Sequence, residues 1–414
     1  MSERSNVLVL GGGVYQVPLI RAVQGRGKRA VVASVPGPYP GIALADEFVP
    51  VNTTDVPGVL RAARERDVRA VVTTGTDVAL RSLGAVVDEL SLAGPTSSMA
   101  ARATNKLDMK RAFLEGGVRT PEFREARTVD EALAAWDALA APDGVMVKCP
   151  DRSGSRGIVL ARRRSDVPDA LLDAVGASVC GYAVVEDFVR GHEVGVDGYV
   201  GADGEVAFLA PHDKLVRGNG RTDVPVGHRM DRETVRGLVE GTDLPRQVAL
   251  TARAVGMRSC FFNMDVLIDE GGRAWVIEAG VRAGATCIPE VVGGYYGFDY
   301  YEAVVDAALG AEPSFPRSPA RGASEGRLLV CDRPCRARRA LPESILSPLE
   351  GRTGLHVEAS LDYAPGEELP AFADGTSRVG QVVCVGDDPR SVSDALDEAA
   401  RSLLLAYAEP VDPS

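Results

Sequence analysis

The sequence lacks an apolar run long enough to cross a membrane. A membrane-spanning helix needs about 18 or more consecutive apolar residues, and the 414-residue sequence contains no apolar run of that length. The apolar segment near the start, Val7 to Leu10, is also far too short for the core of a signal peptide. We therefore expect a cytoplasmic protein that does not act at a membrane.

Excess positive charge is also absent. Lysine and arginine total 46 against 58 acidic residues, for a formal net charge of -12. Proteins with a general affinity for nucleic acid carry a basic footprint, so we expect no nucleic-acid partner. The balance still permits an anionic substrate, because a few basic residues can gather around phosphates locally.

The spacing of the cysteines does not predict a disulfide framework. Seven are dispersed along the chain, and an odd, scattered set does not predict disulfide bonds. Cys331 and Cys335 lie close together, but no second cysteine or histidine pair follows at the spacing of a zinc site. Ordinary buried thiols are the better interpretation.

The composition that remains, 45% hydrophobic and 25% charged, is that of a globular protein, and its length favours two to three domains. Strands alternate with helices from Val7 onward, which predicts an α/β fold that opens with a parallel sheet. Breaks at Gly94-Pro95-Thr96 and at the proline-rich segment 313–319 divide the chain. We predict an N-terminal domain over 1–99, a central domain over 100–312 and a C-terminal α+β module over 313–414.

Glycines follow the first predicted strand. Gly11-Gly12-Gly13 does not complete the spacing G-x-G-x-x-G, and no acidic residue closes the second strand, which argues against dinucleotide binding. The third strand ends in Gly75-Thr76-Asp77. Since ligands bind at the carboxyl ends of parallel strands, both glycine-containing turns could face one crevice.

The most informative segment begins at Val145. An apolar strand ends at Lys148, and a loop of small residues with one arginine leads to a second strand near Ile158. A lysine beside flexible backbone amides suits the binding of phosphates. The segment is not a Walker A loop, because no G-K-[ST] opens a helix, and a glycine-rich hairpin with an exposed lysine is the alternative.

Two later strands each carry an acid. Asp265 lies in the strand 263–268, and Glu278 ends the strand 274–278. Two antiparallel strands that each offer a carboxylate can hold Mg²⁺ between them, where it bridges phosphate oxygens. The pair follows the lysine and its loop, and this combination predicts a nucleotide site with magnesium.

In this order the segments resemble the ATP-grasp superfamily, in the branch that includes biotin carboxylase, the halves of carbamoyl-phosphate synthetase and L-amino-acid ligases. The resemblance runs from Val7 to about Gly310. It implies an ATP-grasp fold, with an N-terminal pre-ATP-grasp domain and a lid subdomain at about 118–190. It also implies ATP and Mg²⁺, or Mn²⁺ in its place, as cofactors. Asp265 and Glu278 resemble the family's metal ligands, and Arg282 resembles its arginine for the substrate carboxylate or the acyl phosphate.

The ATP-binding positions follow from the same resemblance. Two lysines look like phosphate ligands, a loop looks like the phosphate cover, a four-residue hinge looks like the adenine contact, and one glutamate looks like the ribose contact. The phosphate ligands are Lys106 and Lys148, and the phosphate cover is Ser153, Gly154, Ser155 and Gly157. The adenine contact is Glu186, Asp187, Phe188 and Val189, and the ribose contact is Glu193.

One position departs from the family pattern Glu-x-Asn-x-Arg. The sequence has Gly280 between Glu278 and Arg282, so one usual oxygen ligand for magnesium is missing. Because magnesium often keeps several waters and relies on phosphate oxygens, the site could still function. Weaker metal binding and a reshaped substrate pocket are the alternatives.

The substrate end is expected beyond residue 210. Lys214 lies where the family places basic residues that face the γ-phosphate and the substrate, and His228 lies in what resembles the substrate-side loop. A lone histidine is more often structural, and Arg217 and Arg221 beside a Gly218-Asn219-Gly220 turn are either solvent charges or a substrate clamp.

The function that the resemblance implies is an ADP-forming carbon–nitrogen ligase. It would join a small carboxylate and an amine through an acyl phosphate, and the expected substrates are amino acids or similar building blocks. A carboxylase-like or purine-pathway ATP-grasp enzyme is one alternative, and a degenerate nucleotide-binding regulatory protein is another. A homodimer is compatible with the family, many members of which dimerise.

Overall fold

The computed structural model describes residues 4–139, 142–152, 157–218 and 223–411. The chain divides into two compact units. The larger unit comprises residues 1–210, 238–285 and 301–314, and the smaller unit comprises 211–237, 286–300 and 315–414. In the described residues, no helix has the length and apolar character that a membrane crossing requires.

The larger unit opens with a four-stranded parallel sheet of order β3-β2-β1-β4. Residues Val7 to Leu10 are fully buried, as expected of a parallel strand that is covered on both faces, and the predicted α/β class is confirmed. The elements of this region are β1 (Asn6–Leu10), α1 (Val17–Gly25), β2 (Arg29–Ser34), α2 (Pro40–Leu44), β3 (Glu47–Pro50), α3 (Val56–Glu65), β4 (Val68–Val72), α4 (Leu80–Leu90), α5 (Ser97–Ala103) and α6 (Lys106–Glu115).

A small antiparallel sheet of order β5-β8-β6-β7 comes next. It packs with two helices around its own cluster of alanine, valine and leucine side chains. Its β6–β7 hairpin pairs Lys148 with Ile158, at the end nearest the predicted phosphate loop. The elements are β5 (Phe123–Ala126), α7 (Val129–Leu139), β6 (Val145–Lys148), β7 (Ile158–Ala161), α8 (Val167–Ala177) and β8 (Ala183–Asp187).

The following segment supplies the strands that carry the predicted metal ligands. Its elements are β9 (His192–Val200), β10 (Val206–Gly218), β11 (Asp223–Asp231), α9 (Arg232–Glu240), α10 (Leu244–Val255), β12 (Cys260–Ile268), β13 (Ala274–Gly280), α11 (Ile288–Tyr296) and α12 (Tyr300–Ala308). In the larger unit the strand order is β13-β12-β9-β10. Phe262, Met264 and Val266 of β12 enter a hydrophobic core cluster of the larger unit, which directs Asn263 and Asp265 to the opposite face.

The smaller unit contains strands in the order β10-β11-β14-β18-β16 and a three-stranded sheet of order β17-β15-β19. Leu396, Ala399 and Leu403 of its longest helix are fully buried in a separate core. The remaining elements are β14 (Ala323–Leu329), β15 (Cys335–Ala337), α13 (Pro342–Thr353), β16 (His356–Leu361), β17 (Glu368–Leu369), β18 (Gly380–Gly386), α14 (Pro389–Tyr407) and β19 (Ala408–Pro410). All seven cysteines are free, and all but Cys180 are buried, as expected.

Candidate nucleotide and metal site

Lys106 is held at the first turn of α6. The side chain of Asn105 caps this helix by accepting hydrogen bonds from the N–H groups of Leu107 and Asp108, at 3.0 and 3.2 Å, as favoured at an N-cap. Lys106 Nζ then donates to the carbonyl oxygen of Arg152 at 2.8 Å and to Glu278 Oε1 at 3.1 Å. Burial disfavours the charged ammonium, but the attraction of Glu278 outweighs it and raises the pKa of Lys106.

Lys148 lies at the end of β6 in a buried ion pair. Its Nζ donates to Glu186 Oε2 of β8 at 2.9 Å, and Lys110 Nζ of α6 donates to the same oxygen at 3.1 Å. Burial acts to raise the pKa of Glu186, but the charges of the two lysines outweigh it and lower that pKa. The side chain of Glu186 therefore lies inside a cluster of two cations, and it is not presented to solvent.

The two predicted metal ligands face each other directly. Asp265 on β12 and Glu278 on β13 are register partners across an antiparallel pair, so their side chains lie on one face of the sheet. Carboxylate oxygens are the ligands that Mg²⁺ prefers, and it commonly uses one or two of them together with waters and phosphate oxygens. Among the described residues there is no group of three or more acidic, histidine or cysteine side chains placed to hold a metal ion.

Arg282 pairs with an acid from the parallel sheet. Its Nε and Nη2 donate to the two carboxylate oxygens of Asp77, at 2.8 and 3.1 Å. Thr74 forms a parallel bridge with Ala283 beside this pair. Burial disfavours the charge of Arg282, but Asp77 outweighs it and raises the arginine pKa. The turn after β4 thus meets the site through Asp77.

Asn263 is the described neighbour of Gly280. The two residues are register partners. The amide nitrogen of Asn263 donates to Asp197 Oδ2 at 2.7 Å, and its oxygen lies 3.4 Å from Nη1 of Arg282. A β-carbon at position 280 would lie 3.5 Å from Oδ1 of Asp77, which leaves space for a side chain. A side chain at position 280 would therefore contact the ion pair of Asp77 and Arg282.

The predicted hinge spans the last two residues of β8 and the two residues that follow. Phe188 donates its backbone N–H to the carbonyl of Gly144 at 3.2 Å, and its ring contacts the guanidinium of Arg162, 5.7 Å from the ring centre. Burial, with the charge of Glu122, raises the pKa of Asp187. Asp187, Phe188, Val189 and Glu193 are all half-buried.

The predicted phosphate loop is described only at its end. Ser153, Gly154 and Ser155 lie outside the described residues. Gly157 has a φ of +65°, and a β-carbon there would lie 2.8 Å from the β-carbon of Cys149. Its carbonyl accepts the N–H of Cys149 at 2.7 Å. Only glycine fits this left-handed, closely approached position, which fixes where the hairpin loop ends.

Two predicted substrate residues belong to the smaller unit. Lys214 on β10 and His228 on β11 are register partners. The expectation that His228 lies in a loop was wrong, because it lies in a strand and is only 3% exposed. Its Nδ1 is 3.0 Å from Nδ1 of His212, and burial, followed by repulsion from His212 and Lys214, holds the pKa of His228 well below 6.5. Arg217 is the second-to-last residue of β10 and forms an ion pair with Asp332. Arg221 lies outside the described residues.

Sequence reasoning missed three participants in the larger unit. Lys110 follows Lys106 by one helical turn, and that spacing places both lysines on one side of α6. The sequence could therefore have indicated Lys110 as a residue of the site. Asp77 was recognised only as a residue of the crevice, without its arginine partner. Asn263 carried no signal, since an asparagine in a strand does not by itself indicate a site.

The sequence is similar to those of known proteins. Residues 356–408 match the model of the L-amino acid ligase C-terminal domain 2. A D-alanine–D-alanine ligase of Gloeobacter violaceus is 29% identical over 204 residues, which cover 47% of this chain and 63% of the relative. The chain thus spans slightly less than two thirds of that protein.

Two solved structures are similar over nearly the whole chain. Phosphoribosylglycinamide synthetase from Anaerococcus prevotii superposes with a TM-score of 0.77 at 23% identity, covering 97% of this chain and 98% of the other. The L-amino acid ligase from Bacillus licheniformis gives a TM-score of 0.75 at 16% identity, with coverages of 97% and 98%. These similarities show that the chain has the ATP-grasp fold, and the C-terminal match and the D-alanine–D-alanine ligase are its similarities to ligases.

Proposed function

We propose that this protein is an ATP-dependent ligase that joins a small carboxylate to an amine and releases ADP and phosphate. The observation that carries the proposal is the convergence of two buried lysines on acidic strands. Lys106 reaches Glu278 and Lys148 reaches Glu186, each within 3.1 Å. An ammonium group that lies beside a carboxylate can also bind a phosphate, which then replaces the carboxylate or shares the ammonium group with it. The D-alanine–D-alanine ligase match and the L-amino acid ligase match support an amino acid or a similar molecule as substrate.

ATP is proposed to bind along β6, β8 and the first turn of α6. The hinge at Glu186, Asp187, Phe188 and Val189 would contact the adenine through its backbone, and Glu193 would contact the ribose. Residues Ser153, Gly154, Ser155 and Gly157 would cover the phosphates. Excluding water in this way protects a reactive acyl phosphate from hydrolysis.

Asp265 and Glu278 are proposed to hold magnesium, with manganese as a substitute. They fit because they are register partners that bring two carboxylates to one face of the sheet. Two protein ligands are enough when phosphate oxygens and waters complete the octahedron. The metal would neutralise charge on the β- and γ-phosphates. Glu278 also holds Lys106, so this one carboxylate connects the lysine to the metal pair.

The reaction would take place in two steps. In the first, an oxygen of the substrate carboxylate attacks the γ-phosphorus, and the bond between that phosphorus and the leaving ADP oxygen breaks. In the second, the amine attacks the acyl carbon, inorganic phosphate leaves, and the amine loses a proton. Since phosphoryl transfer depends on positioning and charge stabilisation, lysine and arginine side chains can do most of the work.

Arg282, Lys214 and His228 are proposed as the substrate-side residues. Arg282 would bind the carboxylate or the acyl phosphate after exchanging Asp77, which holds it through two hydrogen bonds. By the family resemblance, Lys214 would supply positive charge for the reaction. His228, buried against His212, would act as a neutral imidazole that orients this part of the strand pair and would not take up a proton from solvent.

A phosphate-release screen tests the proposal. Purified protein with ATP and magnesium is offered pairs of amino acids and small carboxylic acids, and products are identified by mass spectrometry. Release of phosphate that depends on both partners and yields an amide supports the ligase. Gly280 favours one second candidate, a nucleotide-binding regulatory protein. Binding of ATP without phosphate release from any pair would support that candidate and contradict the ligase. Products from bicarbonate or a ribosylamine would instead indicate a carboxylase-like or purine-pathway enzyme.

A further inference from the structure

Lys110 is a buried cation to which the proposed reaction gives no role. Its side chain is 1% exposed, as is that of Glu186, and the side chain of Lys148 is 8% exposed. Lys110 Nζ donates to Glu186 Oε2 at 3.1 Å and to Thr120 Oγ1 at 2.7 Å. The Thr120 hydroxyl in turn donates to the carbonyl of Val276 at 2.8 Å. Lys110 is therefore fixed between α6, β8 and β13.

The same carboxylate oxygen accepts from both lysines, and this shared acceptor limits what Lys148 can do. Glu186 Oε1 is buried and has no hydrogen-bond partner among the described residues, so Oε2 carries all of its interactions found there. A buried carboxylate that loses its last cation is strongly disfavoured. With only one lysine beside Glu186, that lysine could not leave for a phosphate. With two lysines, one can leave while the other keeps the charge compensated.

We propose that Lys110 is a positioning residue for the nucleotide site, which holds the charge of Glu186 and thereby releases Lys148 to the ATP phosphates. The proposal rests on the proposed function, because it assumes that Lys148 binds those phosphates. Lys110 itself does not touch the nucleotide. Lys110 lies on α6 one turn beyond Lys106. The first turn of this helix would therefore bind the phosphates through Lys106, and the second turn would affect them through Lys110 and Glu186.

The charge of Lys110 depends on its surroundings. The groups around it are Glu186 on β8, Lys148 on β6, Glu278 on β13 and the uncharged Thr120 hydroxyl. Burial lowers the pKa of Lys110, Glu186 opposes that effect and Lys148 adds to it, which leaves the pKa at about 8. Lys110 is therefore charged below that pH, and it loses the charge as the pH rises through it. Release of Lys148 should be lost in the same range.

The test measures the dissociation constant of ATP with magnesium by isothermal titration calorimetry on the full chain. We expect Lys110→Met to weaken binding by about tenfold or more, since Lys148 then stays on Glu186. Lys110→Arg keeps a cation and should restore binding to within about threefold of the unchanged protein. The double variant Lys110→Met with Glu186→Gln removes the carboxylate that retains Lys148. It should bind ATP as well as the single variant Glu186→Gln.

A purely structural role for Lys110 predicts a different pattern. In that case the double variant would bind ATP more weakly than Glu186→Gln alone, and this result would overturn the proposal. Binding of ATP by Lys110→Met within twofold of the unchanged protein would also overturn it. Failure of the unchanged protein to bind ATP would contradict the proposed function itself, which separates the two failures.

A pH series gives an answer that does not need Lys110→Met to fold. In the unchanged protein, ATP affinity should fall as the pH rises through about 8. In Lys110→Arg the fall should be absent, because a guanidinium stays charged throughout this range. The same pH dependence in both proteins would overturn the assignment of Lys110.

Discussion

Replacing Gly280 with asparagine should tighten the binding of magnesium and slow turnover. Gly280 on β13 lies two residues beyond Glu278, on the same face of the sheet, opposite Asn263. A β-carbon there would lie 3.5 Å from Oδ1 of Asp77 and 3.7 Å from Cζ of Arg282. These are ordinary contact distances, so the strand should accept the first atom of a side chain without moving.

The rest of the asparagine side chain sets the magnitude. Its amide extends roughly 2.5 Å beyond the β-carbon, which is far enough to approach the carboxylates of the metal pair or the ion pair of Asp77 and Arg282. One added oxygen ligand that lowers the half-saturating magnesium concentration about tenfold corresponds to ~1.4 kcal/mol. Loss of one charge-assisted hydrogen bond of Arg282, worth about 1.5–3 kcal/mol, would slow the step that this arginine assists by about 10- to 150-fold.

The assay is phosphate release as a function of magnesium concentration at saturating ATP, with the substrate pair found in the screen. Gly280→Ala is the matched control, because it adds the β-carbon without an oxygen ligand and should leave the magnesium dependence unchanged. An unchanged half-saturating concentration in Gly280→Asn would refute the reasoning. An equal shift in Gly280→Ala would do the same, because it would show that volume and not the amide oxygen is responsible.

Three further predictions follow from the ion pairs and pKa shifts. Lys148→Ala should abolish phosphate release, which a turnover assay measures, and full turnover would contradict the proposed site. It should also lower the free energy of unfolding by about 1–3 kcal/mol in chemical denaturation, since buried Glu186 loses one of its two cations. Hydrogen bonds, first of all from the Trp275 indole, lower the pKa of Asp269 to about 2. The stabilisation that these hydrogen bonds give is present above the ordinary aspartate pKa of 3.8 and is lost as the pH falls through about 2. The fluorescence of Trp275 should therefore change near pH 2, and a fluorescence midpoint near pH 3.8 would argue against the hydrogen bond between Trp275 and Asp269. The ring signals of His228 in NMR should show no titration near 6.5, because burial keeps the imidazole neutral there; a midpoint at that pH would show an exposed ring.

The sequence was sufficient where a local pattern carries the information. The apolar run Val7 to Leu10 predicts a buried strand, and β1 covers it. The strand that ends at Lys148 is also where the sequence predicts it. Apolar periodicity and caps act within a few residues, so these elements can be read without knowledge of the rest of the fold.

The sequence was insufficient where distant segments decide the structure. Pro225 and Gly227 favour a turn, yet both lie in β11. A β-carbon at Gly227 would lie 2.4 Å from the carbonyl oxygen of Gly326, so this glycine permits close approach of β14 instead of a turn. The ion pair of Lys106 and Glu278 joins positions 172 residues apart, and no local pattern encodes it.

The small sheet of β5 to β8 gives the site a particular response to nucleotide. Because this sheet has its own core, its amide hydrogens should exchange with solvent as one cooperative group. Lys148 and Glu186 belong to the sheet, whereas Lys106 and Lys110 belong to α6. A nucleotide bound to Lys106 and Lys148 would add a second link between α6 and the sheet, beside the ion pair of Lys110 with Glu186. Protection from exchange in β6 and β8 should therefore rise most when ATP binds, and amide exchange can locate the nucleotide before any substrate is known.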